Sequence, residues 1–239
     1  MNTEHPLSRL KAPALRLRRG PGASRKLKRR EQQRAIETRN LILGTALSEF
    51  AQRGFEAASI RRIAARSRIQ HPLITYHFRT KLILWRAVAE HVFMEVRTAW
   101  NRHSPPNTDL QPIERVREEY RILLRFILQY PDLHHFMLRE NYSKNPRLAW
   151  LAKNILKPIL EGRLLPQIRA AQEAGQLPTG NPILIHYMLI GMTSALSSLS
   201  DEIQLLAGIS ATDPEVEHEY WGLIEQTVFT HRKSFRGKR

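Results

Sequence analysis

The side chains best placed to do chemistry crowd into one stretch, SIRRIAARSRIQHPLITYHFRTK, residues 59–81. Ser59, Arg61, His71, Thr75, Tyr76, His77 and Lys81 offer hydroxyls, imidazoles and cations at close spacing. Such groups donate hydrogen bonds to phosphate oxygens and base edges. Catalysis needs a different pattern. The chain has no glycine-flanked nucleophile elbow, no HExxH, no P-loop and no dinucleotide glycine fingerprint, so no enzyme activity is expected. Ser194, Ser197, Ser198 and Ser200 lie along one helical segment and read as small residues that permit close packing. Glu215 and His218 have the i, i+3 spacing of a carboxylate–histidine metal pair, but a bundle metal site needs a second such motif and none follows. They read instead as the acidic first turn of a helix after Pro214, and His134-His135 as a turn-start pair. No metal and no cofactor is expected.

Charge narrows the partner. The 239 residues carry a net charge of +16, unevenly spread: 11 Lys/Arg against 2 Asp/Glu over 1–34, 11 against 5 over 35–103, and 16 against 15 over 104–239. The basic half is therefore the first hundred residues, and a polyanion is the expected partner, nucleic acid before an anionic membrane. The absence of cysteine excludes disulfides, thiolate metal sites and a cysteine nucleophile, and agrees with a reducing, cytoplasmic setting. The longest apolar run, ILIHYMLIGMTSALSSL at 183–199, is broken by His186 and by hydroxyl residues, so it reads as a buried helix and no membrane span is expected. An Arg-rich, acid-poor N-terminus also fits an organelle transit peptide, and both readings of that arm stand at this point.

The elements that must position the 59–81 stretch follow from periodicity and from its prolines. Residues 1–33 hold Pro6, Pro13, Gly20, Pro21 and Gly22 among basic residues and predict a disordered arm. From about Arg34, the spacing of Leu43, Ala46, Leu47 and Phe50 predicts a first helix that reverses at Gly54. Ser59 is a good N-cap for a second helix running to about Ser67. After a turn at 67–69, Pro72 falls in the first turn of a third helix, about 70–78, where its missing N–H has no intrahelical partner to lose. A fourth helix starts near Lys81. Two short helices joined by a tight turn behind a longer one make a helix-turn-helix, whose second helix enters the major groove. His71, Pro72, Leu73, Thr75 and Tyr76 then face outward, while Ile69, Ile74 and Phe78 pack inward. Further helices are predicted at about 112–130, 133–143, 146–175, 182–200 and 214–231, with no convincing strand.

Residues 37–95 resemble the DNA-binding domain of TetR-type transcriptional regulators. The resemblance rests on Gly54-Phe55, Ser59-Ile60, Ile63-Ala64, Ile69, Ile74, Tyr76-His77-Phe78 and Lys81, in order and at matching spacing. It implies that Arg61 reaches a base edge or phosphate, that His71 hydrogen-bonds a base, that Leu73 offers an apolar contact such as a thymine methyl, and that Ser59, Thr75, Tyr76 and Lys81 hold phosphates. Three departures stand out. Ser67-Arg68 replaces the usual Ala-Gly of the turn, which predicts a non-glycine residue in a left-handed conformation. Gln70 replaces a serine N-cap, and Thr75 stands where the family has tyrosine.

The fold class expected is all-α: a basic arm at 1–33, a three-helix helix-turn-helix domain at 34–82, a helical dimerisation and effector domain at 83–231, and a basic tail at 232–239. The resemblance implies a repressor that binds a palindromic double-stranded DNA operator as a homodimer through its last two helices. Their stripes of Leu184, Met188, Gly191, Met192, Ala195 and Leu199, and of Tyr220, Trp221, Leu223, Ile224 and Val228, fit a four-helix interface. It also implies a small-molecule cavity among the middle helices. There Phe126, Tyr130, Phe136, Met137, Tyr142 and Trp150 favour an apolar or aromatic effector. The alternative is a basic helical protein that contacts RNA or an anionic membrane through its arm; it gives no reason for Tyr76, Phe78 and Lys81 to fall in register with Ile63 and Gly54.

Overall fold

The computed structural model describes residues 21–106, 109–141 and 145–229, which are helical with no strand among them. The chain divides into two compact units, Met1–Asn40 and Leu41–Arg239.

In the first unit residues 21–40 are the opening part of helix α1 (Pro21–Ala57). The expectation of a disordered arm through residue 33 therefore fails over 21–33; its remainder, 1–20, lies outside the described residues. The reason is local. Beyond Pro21-Gly22 the run ASRKLKRREQQRAIETRN contains no further Gly or Pro and consists largely of strong helix formers, and proline suits the first helical position.

In the second unit α1 buries Ile42, Leu43, Ala46 and Phe50, and its helical geometry breaks at Gly54 (φ 72°), a conformation open to glycine. Then come α2 (Ile60–Ser67), α3 (His71–Phe78) and α4 (Lys81–His103), the last N-capped by Thr80, whose hydroxyl accepts the Ile83 N–H at 3.2 Å. Helices α5 (Pro112–Gln129) and α6 (Pro131–Asn141) follow, then α7, a helical rod over 146–173, and finally α8 (Pro182–Ser198), α9 (Ser200–Ala207) and α10, which covers Pro214–Ile224 and a wider turn, Glu225–Phe229. Helices α5, α6, α7, α8 and α10 each open on a proline, the position its fixed φ favours. Within α7, π-helical turns at Ala152–Leu156 and Leu160–Leu164 lie just ahead of Pro158 and Pro166, where an ordinary helix would lack an N–H donor. The sequence reading of one helix over 182–200 is corrected: the chain bends by 58° after Ser198 into α9, which ends on Gly208 at φ 69°.

One core runs through the second unit. Trp85 of α4 is fully buried, 5.5 Å from the Phe136 ring of α6 and 5.9 Å from the Trp150 ring of α7, and Phe50 of α1 lies 6.5 Å from Phe136. Polar ties complete the joint between the first three helices and those behind them. Arg139 of α6 donates to the carbonyls of Ala51 (3.2 Å) and Gln52 (2.9 Å), satisfying acceptors near the end of α1. Arg147 of α7 pairs with the buried Glu140 and with Glu56 of α1, both at 3.1 Å, and stacks 4.1 Å from the Phe55 ring.

Two buried polar pairs lock the C-terminal helices. Glu119 of α5 receives Arg163 Nε at 2.7 Å, and Arg163 also donates to Asn101 Oδ1 (2.7 Å) and the Ser104 carbonyl (2.6 Å) at the end of α4. Tyr120 Oη lies 2.5 Å from His186 Nδ1 of α8. Burial lowers His186 to about 4 and raises the Tyr120 phenol, so near pH 7 the hydrogen bond joins two uncharged groups.

Candidate nucleic-acid interface

The turn between α2 and α3 decides where α3 points. Arg68 takes the left-handed conformation (φ 55°, ψ 29°) that Ser67-Arg68 foretold, and its N–H closes the end of α2 on Ala65 O. Gln70 caps α3 only through its backbone carbonyl, which accepts from Leu73 N at 2.9 Å. Ile74 and Phe78, four residues apart, are buried and fix the rotation of α3 about its axis. The opposite face is outward: Tyr76 is 80% exposed, Leu73 is 42% exposed, and His71, Pro72 and Thr75 are exposed as well. His77 is half-buried, its ring 5.6 Å from Tyr76 in an edge-on arrangement. Thr75 donates its hydroxyl to the His71 carbonyl at 3.1 Å. An apolar methylene surface, a phenol and an imidazole thus share one short helix face, a combination suited to base edges and phosphates.

Of the supporting residues, Arg61 is exposed and has no hydrogen-bond or ion-pair partner among the described residues, leaving its guanidinium available. Lys81 differs from expectation. Its ammonium donates to the carbonyls of Glu56 (3.0 Å) and Ala58 (3.2 Å) and sits 4.6 Å from the Phe55 ring. With two of three donors so placed, the side chain closes the end of α1 against the start of α4 instead of reaching out to phosphate. Ser59 caps α2 in extended geometry without a side-chain bond; its backbone N–H goes to Glu49.

That carboxylate is what the sequence reading missed. Glu49 is 1% exposed on the buried face of α1; it accepts from Ser59 N at 3.1 Å and Arg62 Nε at 2.7 Å, with Arg66 Nη1 at 3.6 Å and Arg53 Nε at 3.7 Å. A legible signal was present: position 49 falls among Ile42, Ala46 and Phe50 on the apolar stripe, where a charge demands partners.

The two other residue sets divide. Leu184, Tyr187, Met188 and Gly191 are exposed along α8, as are Leu199 just past its end and Leu223 on α10, while Met192 and Ala195 are half-buried. Trp221, Ile224 and Val228 instead face this chain's own core, at 3%, 4% and 9% exposure, and Tyr220 is tied to α8 by a 2.7 Å bond to the Met192 carbonyl. Already buried, those three side chains are not offered to a second copy; the apolar stripe of α10 is the face by which that helix joins its own bundle. Of the aromatic set, Phe126 and Tyr130, with rings 4.8 Å apart, line a groove of about 280 Å³ with Glu95, Arg102 and His103. Phe136 is core, Trp150 packs on Trp85, and Tyr142 lies outside the described residues. The set therefore does not enclose a single cavity, and the groove that two of its members share carries charged groups. No single helix among the described residues is long and apolar enough to cross a membrane.

Two short helices, α2 and α3, set behind the longer α1 and joined by a turn that presents α3 outward, define a helix-turn-helix. Residues 42–88 match the family described as bacterial regulatory proteins of the tetR family, so that this segment, α1 to α4, is similar to the DNA-binding part of those proteins. Over 92 residues, 38% of this chain and 47% of the relative, it is 39% identical to a helix-turn-helix-type transcriptional repressor of Mycobacterium tuberculosis. It is also 28% identical to the repressor NicS of Pseudomonas putida over 139 residues, 54% of this chain and 64% of NicS. These alignments span about half to two thirds of those relatives' lengths. The fold continues further: a TetR-family regulator from Marinobacter aquaeolei superposes with a TM-score of 0.65 over 84% of this chain and all of its own, at 20% identity. Another from Haemophilus influenzae gives 0.60 over 83% of this chain and all of its own, at 17% identity. At such identities the likeness concerns the fold alone.

Proposed function

We propose that the protein is a transcriptional regulator, acting as a repressor, that reads a palindromic duplex DNA site as a homodimer. The observation that carries this reading is the outward face of α3, where Leu73 and Tyr76 stand in solvent beside His71 and Thr75 while Ile74 and Phe78 anchor the helix. A recognition helix needs that division. Two copies joined along the exposed apolar face of α8 would place two such helices for successive major grooves, roughly 34–36 Å apart. A small-molecule effector enters this reading only through the groove at Phe126 and Tyr130, whose lining of rings and ionised side chains suits an aromatic compound bearing a polar group.

Selection of bound sequences from random duplex DNA tests the proposal: enrichment of an inverted repeat is expected, and failure to enrich any duplex would sink it in favour of RNA or membrane contact through the basic arm. On the selected site, His71→Ala and Leu73→Ala are expected to change base preference, each base contact being worth about 1–3 kcal/mol of discrimination. Tyr76→Phe is expected to weaken all sequences alike. A Tyr76→Phe variant with an altered consensus would show that α3 is rotated from the orientation argued here.

The N-terminal segment is read as an additional contact to the DNA backbone. Residues 1–34 hold 11 Lys/Arg against 2 Asp/Glu, so their removal should lower affinity and flatten its salt dependence, because fewer counterions are released. A salt slope unchanged by the truncation would leave this segment without a role in binding DNA.

A further inference from the structure

The geometry points to Glu49 as a specificity-determining positioning residue: it holds Arg62 and Arg66 against the body of the domain and away from the DNA backbone. This rests on the DNA-binding reading and deepens it.

In a helix-turn-helix the helix that precedes the recognition helix crosses the phosphate backbone. Here that helix is α2, and four of its eight residues are alanine or isoleucine while three are arginine. Arginines on such a helix grip any duplex, whatever its sequence. Arg62 and Arg66 are each 44% exposed, close enough to the surface to swing outward, yet both are turned back. Arg62 gives Nε to Glu49 at 2.7 Å and an Nη to the Ala57 carbonyl; Arg66 places Nη1 3.6 Å from Glu49 and 3.4 Å from Gln52 Oε1. Arg53 joins from α1 at 3.7 Å. A single carboxylate, 1% exposed, thus faces three guanidiniums. Such a buried charge needs its partners and binds them more firmly than a surface ion pair would. Arg61, on the same helix, points outward without a described partner. The carboxylate therefore sorts the arginines of α2, leaving Arg61 for DNA and withdrawing its neighbours. Fewer sequence-blind contacts mean a larger ratio of specific to non-specific affinity.

The test compares the full-length protein with Glu49→Gln, whose amide oxygen still accepts the Ser59 N–H, and with Glu49→Leu, which removes the polar group altogether. Thermal melts establish that each is folded. Affinity for the selected duplex and for a scrambled duplex of equal length is then measured from 50 to 200 mM salt. Freeing two arginines adds two phosphate contacts, which steepens the slope of log affinity against log salt by roughly 1.8 and makes the variant's gain on scrambled DNA about tenfold larger at 50 mM than at 200 mM. The ratio of selected to scrambled affinity falls accordingly. An unchanged or shallower slope in a folded Glu49→Gln protein overturns the inference, since it would mean that the carboxylate presents its arginines to phosphate or leaves them idle. A wild-type protein that binds neither duplex overturns the DNA-binding reading itself, and this inference with it.

Discussion

Replacing Arg163 with alanine is expected to destabilise the protein by about 3–5 kcal/mol at pH 8, and by clearly less at pH 5.5. The first half follows from burial. Glu119 is fully buried and Arg163 Nε lies 2.7 Å from it, so truncating the arginine strands a carboxylate in the core between α4, α5 and α7. The second half follows from the carboxyl's own titration. Burial pushes Glu119 up to about 7, against the pull of Arg163 and of Arg115, both of which favour the ionised form. Without Arg163 the group rises further. A carboxyl whose folded value stands above its unfolded one contributes stability that is complete below the unfolded value and is lost as pH rises through the folded one. The variant should therefore recover stability between pH 8 and pH 5.5, the reverse of an ordinary salt-bridged carboxylate. Urea denaturation at the two pH values is the measurement, and an equal loss at both would contradict the assignment. The same arginine holds Asn101 and the Ser104 carbonyl at the end of α4, the helix that follows α3 directly, so on the proposed DNA-binding reading affinity for the selected duplex should fall with stability.

If two copies join along α8 as proposed, a glutamate at Leu184 or Met188 is expected to abolish that dimer and to lower affinity for the selected duplex by about 10²- to 10⁴-fold, the avidity contributed by a second linked half-site. Leu184 is 66% exposed and Met188 is 41% exposed on α8, so either change should leave the subunit itself folded. Ala195 on the same stripe is half-buried, and a charge there would disturb the subunit as well as the interface, which makes it a poorer probe. Sedimentation velocity reads the assembly state and titration of the selected duplex reads the affinity. A Leu184→Glu protein that sediments as an unperturbed dimer would move the interface elsewhere. The exposed Leu205 and Leu206 of α9 would then be the next surface to vary.

The helix-turn-helix was legible in the sequence because its information is local. An N-cap at Ser59, a proline confined to the first turn at Pro72, and apolar residues at 60, 63, 64, 74 and 78 specify two short helices and the face each buries, since periodicity ties side-chain direction to position. The prolines that open five later helices mark their starts for the same reason. The helix over 21–33 was also locally encoded, by a run of strong helix formers, but a high density of charge reads equally as disorder.

What only the tertiary structure decided is the partnership of each polar or apolar group once its helix is placed. An apolar stripe states that a helix buries a face without stating against what: the stripe of α10 turned to its own subunit's core, while much of that on α8 stayed outside. Aromatic residues at 126, 130, 136 and 150 were divided by distance in space, two to a groove and two to the packing around Trp85. Charges show the same limit most sharply. Lys81 and Arg62 are as basic in sequence as Arg61, yet carbonyls at 56 and 58 claim the first and Glu49, thirteen residues away, claims the second. Helix period sets which way a side chain points, through bonds that span one turn; which charge meets which depends on how separate helices pack, and that is decided by the whole core at once.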